Sequence, residues 1–124
     1  MNEVRIVSTG SYLPGDPIDN ETLARLAGEL PEDILDGLQV KTRHWAVDPE
    51  TGEHLETNSE MAAKAVQEAL DLGGVDVEDV DLLVVSTASP EYHLPPTSTF
   101  VMEKLGREAM TAIDSSGTSS PTKP

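Results

Sequence analysis

Three histidines, His44, His54 and His93, and four carboxylates, Asp76, Glu78, Asp79 and Asp81, are the side chains here whose types invite metal chemistry. A His–His–carboxylate site built on one helix face needs its histidines one turn apart. The intervals here are ten and thirty-nine residues, which fit no such face. Each histidine therefore reads as an ordinary surface or loop residue. The acidic turn packs four carboxylates into six residues, yet lacks the glycine and ligand spacing of a calcium loop. It reads as a solvated turn, and no metal site is expected. Arg43 is expected to pair with one of the many nearby carboxylates, and Trp45 to anchor a core or an interface. The chain has no cysteine, which excludes disulfides, thiolate metal sites and cysteine nucleophiles within these residues.

Composition narrows the field further. The 124 residues fit one small domain, with 37% apolar residues and only one Phe, two Tyr and one Trp as large core candidates. Eight basic residues against 23 acidic ones leave a net charge of −15. Such a surface repels phosphate backbones and anionic lipid, so neither nucleic acid nor membrane is an expected partner. The opening residues, Met-Asn-Glu-Val-Arg-Ile-Val, contain no long apolar run and suit neither a signal peptide nor an anchor. No stretch reaches the ~20 apolar residues that span a bilayer. A cytoplasmic protein is expected.

The elements that must position any site follow from periodicity. Val4 to Ser8 is a β-branched run ended by Thr9-Gly10 and predicts a first strand. After a turn-rich stretch, Asp19 or Asn20 caps a helix whose apolar face is Leu23, Leu26, Ala27 and Leu30. Pro31 opens a short second helix through Ile34 and Leu35, stopped by Gly37. Val40 to Val47 reads as extended, and residues 48–53 as a surface turn. A long helix runs from Ser59 to about Leu72, burying Met61, Ala62, Ala65, Val66, Ala69 and Leu70 against another helix, and Gly73-Gly74 ends it. Leu82-Leu83-Val84-Val85 predicts a strand buried on both faces of a parallel sheet. A loop from Pro90 to Pro96, a helix from Thr97 to Leu105 and a strand from Ala109 to Ile113 complete a strand–helix–strand crossover. Residues 1–113 are thus expected to form one partial α/β domain. Residues 114–124, free of apolar side chains and carrying two prolines, are expected to be a flexible tail.

In this order the segments resemble one family. Val4-Arg5-Ile6-Val7-Ser8-Thr9-Gly10-Ser11-Tyr12-Leu13-Pro14 is similar to the first strand and loop of β-ketoacyl-acyl-carrier-protein synthase III proteins. Asp19-Asn20-Glu21-Thr22-Leu23 resembles the start of their first helix, and Lys41-Thr42-Arg43-His44-Trp45-Ala46 their Gly-Ile-x-x-Arg segment. Asp79 to Thr87 resembles the strand before their Thr-Ser-x-x-x-x-x-Pro loop, and Ala112-Ile113-Asp114 the strand that leads to their nucleophile. No one motif is decisive, but all fall in the right order between residues 4 and 114.

The resemblance implies a thiolase-like α/β fold, here an incomplete first half with a partly parallel sheet and flanking helices. It implies an acyltransferase that joins an acyl primer from coenzyme A to a malonyl carrier protein with loss of carbon dioxide. The family's nucleophile is a Cys on a helix N-terminus, where the dipole lowers the thiol pKa. A His and an Asn from the second half promote decarboxylation. Here the position five residues after Asp114 holds Ser119, a replacement nucleophile only if a base stood beside it. Pro121 and Pro124 disfavour the helix that would follow, so Ser119 reads as a tail residue. No catalytic residue and no cofactor is assigned to this chain.

Acyl-CoA and acyl carrier protein are the partners the resemblance implies. Both are expected to be poorly held by this segment. Asp33 and Gly37 stand where the family has a Trp and an Arg for the nucleotide, and the acidic surface disfavours an acidic carrier. Leu94, followed by Pro95, matches a loop that in the family reaches across a dimer to line the neighbour's acyl pocket. It is either an acyl-pocket or dimer-interface residue, or a loop residue covering its own sheet edge. The chain is expected to be a truncated synthase without activity alone, and its open sheet edges predict partial disorder or aggregation. The alternatives are a non-catalytic binding or dimerisation module, as a homodimer, and one chain of a split synthase completed by another.

Overall fold

In the computed structural model, residues 3–28, 31, 37 and 39–115 are described. They belong to two compact units, one from Met1–Tyr12 with Asn58–Pro124, the other Leu13–Thr57. The second short helix predicted after Pro31, and Asp33 with it, lie outside the described residues, as does the chain beyond 115.

The smaller unit is built around polar turns. Strand β1 (Ile18–Asp19) pairs antiparallel with β2 (Thr42–Arg43), in the register Ile18 to Arg43 and Asp19 to Thr42. The extended stretch predicted over 40–47 thus contracts to two strand residues and a lone bridge from Val47 to His54. Helix α1 (Asn20–Ala27) starts as its sequence demands: the Asp19 side chain accepts the Thr22 N–H at 2.8 Å. It stops at Gly28, whose φ of +89° lies in the region glycine adopts readily. The turn at residues 48–53 closes because Asp48 Oδ1 accepts the N–H groups of Glu50 and Thr51, at 2.9 and 2.7 Å.

The larger unit holds the core. Helix α2 (Asn58–Gly73) and helix α3 (Thr97–Lys104) pack on one face of a parallel pair of strands, β3 (Leu82–Ser86) and β4 (Thr111–Ser115). A 3-10 turn, Val77–Asp79, lies between α2 and β3. The strands run in register from Leu82 beside Thr111 to Ser86 beside Ser115. Ala63, Leu83 and Val101 form the buried centre, with Ala62, Val66, Val85, Met102, Leu105, Met110 and Ala112 packed around them. Val101 is completely buried.

Four expectations are corrected here. Residues 4–8 form no strand: no described strand offers them a ladder, and Val4 and Ile6 are 100% and 86% exposed. The predicted face of α2 does meet a helix, Ala62 and Val66 packing with Val101 and Met102 of α3 and Leu105 at its end, and its Ala65 and Ala69 in addition receive a chain segment. Ser8 Oγ donates to the Ala69 carbonyl at 2.6 Å, and a Cβ on Gly10 would collide with the backbone of Ala65 and Ala69. Ala63, absent from the predicted face, is buried, because Val101 of α3 and Leu83 of β3 meet it. Strand β3 is covered on one face only, leaving Leu82 and Val84 half exposed on the other. Asp114 and Ser115, assigned to the tail, are ladder residues of β4.

Candidate functional site

The C-terminal ends of β3 and β4 lie side by side, and the Thr87 N–H extends their pairing by donating to the Ser115 carbonyl at 3.3 Å. In an open parallel sheet, ligands bind in the crevice at this end of the strands. The loop 87–96 leaves β3 here and leads into α3.

Asp114 organises this end. One carboxylate oxygen accepts the Thr97 N–H and the other the Ser98 N–H, each at 2.7 Å. The two donors are among the N–H groups that the first turn of any helix leaves without internal partners. Burial would push the Asp114 carboxyl up. The hydroxyl and N–H of Ser98, followed by those of Thr97, outweigh it and hold the group below the usual carboxylate range. Both hydroxyls are buried and neither reaches hydrogen-bond geometry with an acceptor. They therefore act on Asp114 as nearby dipoles, and its bonds proper are the two to backbone.

A second carboxylate treats the longer helix alike. Glu91 Oε1 accepts the Ser59 N–H of α2 at 2.5 Å, and the Asn58 side-chain amide donates to the Ser89 carbonyl. Tyr92 then packs against Phe100 of α3, ring centroids 5.6 Å apart. These contacts fix the two sides of the loop 87–96. Leu94, joined to Pro95 by a cis peptide, stands at its crest and is 84% exposed.

The other sequence candidates are scattered. His44 Nδ1 lies 3.0 Å from the Pro14 carbonyl, His54 takes part in the bridge to Val47, and His93 is exposed on the loop. No group of three or more His, Asp and Glu side chains that could hold a metal exists among the described residues. Among the described residues, Arg43 donates to the Ile18 carbonyl and the Asn20 side-chain oxygen, at 3.2 and 2.5 Å, and to no carboxylate. The reason is register: β1 sets Ile18 opposite Arg43. Trp45 is partly buried. Ser119 lies outside the described residues. The helix-holding roles of Asp114 and Glu91 were missed from sequence, because each carboxylate acts on donors more than fifteen residues away. The one available signal was an acid at the end of an apolar strand, where a solvated carboxylate has no reason to be. No described helix is long and apolar enough to cross a membrane.

Comparison with known proteins places this geometry. No family model matches the chain. A β-ketoacyl-[acyl-carrier-protein] synthase III of Neisseria meningitidis serogroup C (strain FAM18) is 38% identical over 106 residues, covering 86% of this chain and 31% of that protein. The solved structure of AbyA1, a tetronic acid condensing enzyme, superposes with a TM-score of 0.78 at 40% identity, over 87% of this chain and 33% of that one. The priming β-ketosynthase of the R1128 polyketide pathway superposes with a TM-score of 0.77 at 29% identity, over 91% and 32%. The chain thus spans about a third of the length of each relative. The described elements are the matching part of a thiolase-like α/β fold.

Proposed function

Because this chain belongs with the β-ketoacyl-acyl-carrier-protein synthase III proteins over their N-terminal third, we propose that it supplies the substrate-framing part of a decarboxylating acyltransferase and does not carry out the condensation alone. In the whole reaction an acyl group leaves coenzyme A for an enzyme nucleophile. A malonyl carrier protein then loses carbon dioxide, and the carbanion so formed attacks the acyl carbonyl and expels the nucleophile. In this reading β4 is the strand that delivers the nucleophile-bearing segment, and the loop 87–96 is a wall of the acyl site.

The observation that carries the reading is the bond of Asp114 to Thr97 and Ser98. It ties the outgoing end of β4 to the helix that the loop enters. A wall and a nucleophile must keep a fixed separation, and a tie between β4 and the start of α3 supports such a role. Leu94, exposed at the loop crest, is offered to an acyl chain or to a partner subunit that holds one. Acyl-CoA and the acyl carrier protein are substrates of the assembled enzyme. A surface of net charge −15 contributes little to holding either anionic partner. The absence of cysteine from the chain leaves the bond-forming step to residues other than these.

The test is covalent labelling. The 124-residue chain incubated with radiolabelled acyl-CoA takes up no label and, with malonyl carrier protein added, forms no condensed product. Label that Ser119→Ala abolishes would overturn the proposal, since it would make Ser119 a working nucleophile.

A second reading, a non-catalytic binding module, is favoured by the closed core of Ala63, Leu83 and Val101 within a single unit. A sharp thermal melt of the isolated chain supports it. A broad, non-cooperative melt counts against it.

A further inference from the structure

Residues 93–95, all exposed, form the crest of the loop 87–96, and the chain on each side of them is held by a carboxylate. Downstream, Asp114 of β4 accepts the Thr97 N–H at 2.7 Å. Upstream, Glu91 Oε1 accepts the Ser59 N–H at 2.5 Å, and Leu94 follows three residues later. Both donors belong to helix first turns, which leave such groups without internal partners. The two clamps differ in one respect. Asp114 is a sheet residue holding a helix, whereas Glu91 is part of the loop, and its side chain is the arm by which the loop grips α2. Ser59 is 1% exposed, and water competes poorly for its N–H.

We propose that Glu91 is a positioning residue for acyl selection. Resting on the family reading above, its bond to Ser59 sets where the Leu94 crest stands over the acyl site, and so which primers fit beneath it. The neighbouring contacts are poorer guides. The Tyr92 and Phe100 rings meet at a tilt of 48°, an apolar contact that lets one ring slide on the other. The Asn58 side-chain amide holds Ser89, two residues further from the crest. A carboxylate bond to a buried N–H is directional and charge-assisted. Its reach matters as much as its charge: removing one methylene from the arm loses the bond, whereas an amide of the same length keeps an acceptor in place. Freed upstream, the crest stays tied at Thr97 through Asp114, and Leu94 swings away from the site to admit longer acyl chains.

The first measurement is made on the 124-residue chain, whose lack of cysteine lets two introduced ones carry nitroxide labels cleanly. Double electron–electron resonance gives the distance distribution between Leu72→Cys on α2 and Leu94→Cys. Leu72→Cys with Glu103→Cys on α3 is the reference pair, and all three positions are exposed. The second measurement grafts residues 1–114 in place of the matching third of the Neisseria meningitidis synthase III and compares kcat/KM for acetyl-CoA and octanoyl-CoA. We expect Glu91→Ala and Glu91→Asp to broaden the distances to the crest and to shift the primer ratio toward octanoyl-CoA by roughly tenfold or more. Glu91→Gln should keep both near the parent, and the reference pair should stay narrow throughout. Four results would overturn the assignment: a crest distribution indifferent to Glu91→Ala, a reference pair that broadens with it, a primer ratio that does not follow the crest, or Glu91→Asp serving where Glu91→Gln fails. A graft that turns over neither primer would defeat the proposed function, and the crest distances would then decide alone whether Glu91 positions Leu94.

Discussion

Asp114 Oδ2 accepts the Thr97 N–H at 2.7 Å, so the last described strand holds the first turn of the helix that precedes it in the chain. A carboxylate at this position satisfies donors the helix cannot satisfy itself and meets the positive end of its dipole. Replacing it by Asn keeps the shape and removes the charge, and Asp114→Ala removes both bonds. We expect Asp114→Ala to cost about 2 kcal/mol, with Asn recovering part of it. Amide exchange at Thr97 and Ser98 should accelerate more than at the centre of α2. Equal acceleration everywhere would show global loosening instead.

The same carboxylate gives a pH dependence. Its pKa in the fold is depressed, as are those of Asp19 and Asp48, which accept backbone N–H groups of Thr22 and of Thr51 with Glu50. A depressed carboxylate contributes fully above its unfolded value, near pH 4, and loses its contribution as pH falls through the lower folded value. Melting temperature should therefore be insensitive to these groups at neutral pH and drop steeply below about pH 4. Asp114→Asn should flatten part of that drop. A chain more stable at pH 3 than at pH 6 would contradict the assignment.

Val101 is the fully buried point where α3 meets the sheet. Val101→Ala deletes two methyl groups from a closed site and should cost about 2 kcal/mol. Urea denaturation should show the midpoint falling at constant slope.

Gly10 lies on the α2 backbone between Ala65 and Ala69, where no Cβ fits. Gly10→Ala should detach the segment from Ser8 to Tyr12 and open the Ser8 to Ala69 bond. Protease cleavage near residue 10 should then speed up at least tenfold while the far-ultraviolet spectrum holds. Unchanged cleavage would show that the segment does not depend on this contact.

What sequence could reveal here was local or one-dimensional. The Asp19 cap, the Asp48 turn, the glycine end of α2 and the parallel unit from β3 to β4 were all legible, because a few adjacent residues determine each. The burial pattern of β3 was not. Leu82 to Val85 reads the same whether one face or both are covered, and only the layers present decide which. The run from Val4 to Val7 failed for a related reason: strand propensity needs a neighbouring ladder to act on. The loop with Leu94 was singled out through resemblance alone. Its supports, Asp114 and Glu91, act across the chain and left no local pattern.

Leu94 separates a structural from a functional loop. Being 84% exposed, it should tolerate Leu94→Ala with a melting change within about 0.5 kcal/mol. In an assembled enzyme the same change should shift the preferred primer toward longer or bulkier acyl groups. An unaltered primer preference would return the residue to a simple surface role.

The central claim, that these residues frame a condensing site without performing the chemistry, is tested most directly by transplantation. Residues 1–114 would replace the matching third of the AbyA1 condensing enzyme, and condensation turnover would be measured beside the parent. The account predicts a folded chimera active to within roughly tenfold, about 1.4 kcal/mol in barrier. A chimera that melts cooperatively yet has lost more than about a thousandfold, ~4 kcal/mol, would contradict it.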